Sequence, residues 1–202
     1  MWYTMLGRIT QDGHWRFGIG DPTLIGWTIT AAYLGTAGLC CYAARVADRD
    51  ASDPAARTHR LFWLLLVPAI MFLGINKQLD LQTWLTEQGR SLAEWQGWYE
   101  QRRIIQLLFI AVLAFSGMMT FALIVWWVRK LARQLWPALL GIWMLEVFVL
   151  ARACSFNHVD QWLGIRFNFY AWRHAFELSG ILLIAVSAGW RSFGDRRHGR
   201  PP

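Results

Sequence analysis

From Ile104 to Val128 the chain runs for 25 residues without an acidic or basic side chain. As a helix this run would be roughly 37 Å long, more than the ~30 Å hydrocarbon core of a bilayer. Backbone amides in hydrocarbon must be satisfied within the segment, so a run like this becomes a helix and closes off most other folds. Trp126-Trp127 followed by Arg129-Lys130 then supplies an interfacial belt and a cationic stop.

Other stretches repeat the pattern. Asp21-Pro22 is a helix-start signal, and a first span is expected over about 22–44. Its Ala31, Ala32, Gly35, Thr36 and Gly38 allow close helix approach. A charged loop follows over 45–60, with a turn signal at Ser52-Asp53-Pro54. The second span, about 61–81, contains Pro68, where a kink is expected. It ends in polar residues: Asn76, Lys77 and Asp80. A fourth span is expected over about 136–155, opening at Trp136-Pro137, and a fifth over about 174–190. Residues 191–202 read as a basic, disordered cytoplasmic tail. The expected fold is therefore all-α, a single integral membrane helical bundle of five transmembrane helices.

Between spans two and three, Trp84, Leu85, Leu92, Trp95, Trp98 and Tyr99 alternate with Glu87, Arg90, Glu94, Arg102 and Arg103. Ser91-Leu-Ala-Glu94 is a capping box. This predicts amphipathic surface helices, which either cover a lipid-facing pocket or simply anchor the chain. Residues 1–20 lack the apolar core of a signal peptide and carry Arg8, Asp12, His14 and Arg16.

Composition settles the class. A 202-residue chain that is 55% hydrophobic, with 14 Trp, has more apolar surface than a soluble domain of this size can hide. The net charge of +7 would by itself suit nucleic acid, but its distribution speaks against that. Loops 45–60 and 129–133 with the tail 191–202 hold eleven basic residues against four acidic ones, and the remainder of the chain is balanced. By the positive-inside rule that face is cytoplasmic. Five spans then place the N-terminus outside and the C-terminus inside. The expected partners are the lipid bilayer and other membrane proteins, with no nucleic acid.

The segment FLGINKQLDLQTWLTEQGRSLAEWQGWYEQRR (72–103), with RACSFNHVD (152–160) and FELSGI (176–181), resembles a family of uncharacterised bacterial multi-pass membrane proteins. GINKQLDLQ and QGWYEQRR carry most of the likeness, which spans the second to fifth helices. Members are sometimes labelled isopropylmalate isomerase, a label that no iron–sulfur cysteine set supports here. The family has two histidines where this chain has Asn157-His158, so a role needing both does not transfer. The resemblance implies a membrane bundle and no particular activity.

Two constellations invite chemistry. The polar ends of spans two, four and five share one face, which would bring Asn76, Asp80, His158, Asp160, His174 and Glu177 together. His174 and Glu177 are three apart on a helix, a spacing that lets both reach one ion. His158, Asp160, His174 and Glu177 are thus the candidate ligands, suiting zinc or iron with an open position for water. Asp80 would act beside them. The plainer alternative is pairing with arginines, since Arg173 lies four residues from Glu177. Glu146 is the second feature. It lies roughly 14 Å into span four, where a charge costs several kcal/mol. It must be neutralised, paired or facing a polar cavity, either as a catalytic or proton-handling acid or as a hydrogen-bonded link between helices. Asn76, Glu177 and Ser179 are its expected neighbours.

Cys40, Cys41 and Cys154 form no disulfide framework or CxxC pattern. There is no P-loop, GxSxG or dinucleotide fingerprint. Two functions remain: a membrane enzyme or binding protein with a polar outer-leaflet pocket for a lipid or amphiphile, and a non-catalytic subunit of a larger membrane assembly.

Overall fold

The computed structural model describes residues 21, 23–47, 53–79, 102–156 and 169–198, with isolated positions between 81 and 96. Asp80, His158, Asp160 and most of the 82–101 surface segment lie outside the described residues. The fold is an all-α bundle, with five helices among the described residues: α1 (Leu24–Ala47), α2 (Pro54–Leu79), α3 (Arg102–Trp127), α4 (Ala132–Phe156) and α5 (Phe169–His198). The first four are long and apolar enough to cross a membrane. The fifth is apolar over the shorter stretch His174–Trp190.

Local chemistry explains the boundaries, several of which differ from expectation. Thr23, not Asp21, caps α1: its Oγ1 accepts from the Gly26 amide at 3.0 Å. Asp21 instead accepts from the Thr23 hydroxyl at 2.6 Å and the Thr23 amide at 3.3 Å, so the helix begins two residues after Pro22. Gly26 is required here, because a Cβ would stand 2.5 Å from the Asp21 carboxyl carbon.

Helix α2 begins seven residues earlier than expected. Asp53 accepts from the Ala55 amide at 2.9 Å and Pro54 takes the first helical position, so the apparent turn signal is a cap. Pro68 sits inside α2 and Pro137 inside α4 rather than at its start. The C-terminal tail, expected to be disordered from 191, is helical as far as His198. Helix α5 continues to His198, since nothing between Trp190 and Gly199 breaks it except Gly194, which a helix tolerates.

Helices α1, α2, α4 and α5 form the packed core, and α3 leans on α4 from outside. On α1 the buried residues Ile29, Tyr33, Thr36, Ala37, Cys40, Ala43 and Ala44 recur every three or four positions, making one inward stripe. Against it lie Phe62, Trp63, Leu66 and Ile70 of α2 and Ile181, Ile184 and Ala188 of α5. Two crossings are close enough to need glycine. A Cβ on Gly74 would stand 2.8 Å from Tyr33 Cβ, and one on Gly141 would stand 2.6 Å from the Gly180 carbonyl oxygen. Both bring antiparallel helices nearly into backbone contact, as small-residue packing in membranes does. No residue of α3 from Ile104 to Trp127 is fully buried, which suits a helix whose surroundings are lipid.

Candidate functional site

The two crossings fix the depth at which polar side chains meet. Gly74 seats Tyr33 of α1 against α2, one turn below the polar end of that helix. Gly180 holds α5 to α4, and Glu177 lies almost one turn away on α5. The result is a cluster shared by the start of α1, the end of α2 and the first part of α5.

Glu177 is its centre and is 1% exposed. Lys77 Nζ donates to Glu177 Oε2 at 2.9 Å, and the Tyr33 hydroxyl donates to Oε1 at 3.2 Å. Both carboxylate oxygens are therefore engaged. Lys77 is itself buried at 6% exposure, so this is an ion pair withdrawn from solvent. A buried carboxylate and a buried ammonium are each costly alone and tolerable together.

Asp21 stands at the rim, its Oδ2 4.0 Å from Lys77 Nζ and its side chain 21% exposed. Burial works against ionisation of Asp21. The hydrogen bonds from Thr23 and the positive fields of Lys77 and His174 outweigh it and hold the carboxyl below its ordinary range. Half-buried His174 is thus close enough to act on Asp21. Beside the ion pair, Gln78 Nε2 donates to Thr30 Oγ1 at 2.8 Å, and Thr30 donates to the Gly26 carbonyl at 3.0 Å.

The expected meeting of the α2 end with the α5 start is present, but through a different residue. Lys77, rather than Asn76, is the partner of Glu177. Among the described residues no three His, Cys, Asp or Glu side chains converge as a metal would need. Of the proposed ligands, Glu177 has committed both oxygens to Lys77 and Tyr33, so a cation at Glu177 is already present as an ammonium.

Glu146 does not meet the expected neighbours. It is half-buried on α4, and no hydrogen bond or ion pair joins it to another described residue. Glu177 faces Lys77 and Tyr33 instead, and the Ser179 hydroxyl is turned back to the Ala175 carbonyl of its own helix at 2.7 Å. The acid in the helix packing is Glu177.

Sequence reasoning missed Tyr33, Asp21 and the role of Lys77. The signals were a tyrosine inside an apolar span and a lysine placed three residues after a glycine on a packing face. A second buried polar group, His59 with Trp63 at a ring distance of 6.0 Å, sits at the opposite end of α2 and also went unremarked.

No family model, curated protein or solved structure matches this chain. The fold and the cluster define it as a helical bundle of membrane-crossing proportions with a buried ion pair between helices.

Proposed function

We propose that this is a bacterial inner-membrane protein with five crossings, N-terminus outside and C-terminus cytoplasmic, which binds the polar head of a lipid or other amphiphile near the outer leaflet. The observation that carries the reading is the Asp21–Lys77–Glu177–Tyr33 cluster. Ionisable groups at membrane depth cost several kcal/mol, and functional sites are where that cost is usually found. In the orientation given by the positive-inside rule the cluster faces outward. Asp21 and half-buried His174 form its accessible rim, where a head group would make hydrogen bonds. Zinc or iron is less well supported, since either would have to displace Lys77 to reach Glu177. The cluster offers paired charges without a nucleophile beside a base among the described residues, so binding is favoured over catalysis. The resemblance to multi-pass membrane proteins is compatible with this and adds no activity.

Lipids retained by the full chain in detergent give the test. Wild type should keep a stoichiometric amphiphile through purification, and Asp21→Asn should reduce its retention at least about tenfold, equivalent to losing about 1.4 kcal/mol of head-group contact. Equal, bulk-like lipid profiles would refute the reading. The other function, a subunit of a larger assembly, would use α3, whose apolar length carries no fully buried residue and can face lipid or a partner alike. A partner protein that co-purifies in fixed ratio and crosslinks to α3 would support that function instead.

A further inference from the structure

Lys77 stands between two carboxylates with unequal claims on it. Glu177 Oε2 holds its ammonium at 2.9 Å, and Asp21 Oδ2 waits at 4.0 Å. Glu177 is sealed on α5, while Asp21 precedes α1 and is partly exposed. Asp21 is held in a fixed pose. Its Oδ1 accepts both the amide and the hydroxyl of Thr23, and Gly26 packs against its carboxyl and carbonyl. Oδ2 is the oxygen left facing Lys77. The difference between the two distances is small for a four-carbon stem, which absorbs it by changing rotamer. On the far side of Glu177, the Tyr33 hydroxyl can either donate or accept, so it stays a partner however Glu177 is held. Arg152, His174 and Tyr33 are the other titratable groups around the pair.

We propose that Asp21 is a second seat for the Lys77 ammonium: when Glu177 is withdrawn, Lys77 passes to Asp21, and α5 can part from α2 without leaving a buried cation uncompensated. Removing one partner of a buried ion pair is normally severe because the remaining charge has nowhere to go. Here a neighbouring acid on a different element can receive it. That gives the ammonium two seats, so a discrete helix movement need not strand it. The exchange follows from the cluster alone and does not depend on the amphiphile reading.

Carbodiimide coupling, which joins a lysine amine to a carboxylate only when they touch, tests it on the full chain in nanodiscs, with peptide mapping by mass spectrometry. In Glu177→Gln the Lys77–Asp21 crosslink should rise several-fold over wild type, and the product should be missing from Asp21→Asn. A yield in Glu177→Gln no higher than in wild type overturns the proposal. Should Glu177→Gln fail to fold, Glu177→Asp shortens the acid, draws it back from Lys77 and permits the same comparison. Thermal melts give a second readout. The Asp21→Asn/Glu177→Gln double variant should lose more than the sum of its single variants, because Lys77 then has neither seat, and simple additivity counts against the exchange.

Discussion

Replacing Lys77 with Met keeps the length and apolar stem of the side chain and deletes the ammonium. At 2.9 Å and an effective dielectric of about 20, the attraction lost is about 6 kcal/mol in gross terms. Desolvation of the two ions offsets much of that, so the pair itself is worth far less than this figure. Removing one partner is different, because Glu177 at 1% exposure is left with Tyr33 alone among the described residues to hold it. The expected loss is about 3–5 kcal/mol. For a chain of this length that corresponds to an apparent melting shift of roughly 6–20 °C. The assay is tryptophan fluorescence or light-scattering melting of purified protein in one fixed detergent. The Lys77→Met/Glu177→Gln double variant should recover most of the shift, since neither buried charge then remains. If Lys77→Met melts within about 2 °C of wild type, less than 1 kcal/mol for a chain of this size, the pair is not a buried ion pair and the account of the cluster is wrong.

Other outcomes follow from the same contacts. Gly141→Ala places a methyl group 2.6 Å from the Gly180 carbonyl, which is backbone and cannot yield; it should cost about 1–3 kcal/mol, whereas Gly35→Ala, with nothing within 4 Å, should be neutral or stabilising in the same melt. Asp21 has its folded-state pKa lowered from 3.8, so its contribution to stability is fully present above that value and is lost as pH falls through the lower folded one. Melts at descending pH should therefore show wild type more stable than Asp21→Asn at neutral pH, with the gap closing in strong acid. Glu146→Leu removes a carboxyl that no described residue pairs with, so its melting temperature should be unchanged or higher, and a large drop would reveal a helix-linking role. A reporter fused after Pro202 should behave as cytoplasmic and one at Met1 as periplasmic; a periplasmic C-terminal reporter would overturn the five-crossing topology.

The helical bundle was legible because its causes are local. An uncharged 25-residue run acts within its own turns, so it can be read from the chain alone. The small residues of α1 could not be: Gly35 and Gly38 meet nothing within 4 Å, and the close crossings fall at Gly74, Gly141 and Gly180. Even the boundary differences are local. Asp53-Pro54 fits a turn and a helix cap equally well until the amide of Ala55 is seen bonded to it.

The cluster was only partly legible. Glu177 stood out as an acid in an apolar helix, and so did Glu146. Sequence assigns both the same cost of burial, because each lies among apolar neighbours on its own helix. What separates them is the rotation of α4 and α5 about their axes, set where Gly141 meets Gly180. That packing leaves Glu146 half-buried without a described partner and turns Glu177 toward Lys77, 100 residues away in the chain. Tyr33 was hidden for the same reason, since its hydroxyl matters only once Gly74 lets α1 and α2 approach closely enough to reach α5. Sequence determined that a few charges would have to be held inside an apolar bundle. Which charges meet depends on helix rotation and contact distance, and those arise only when separate helices pack.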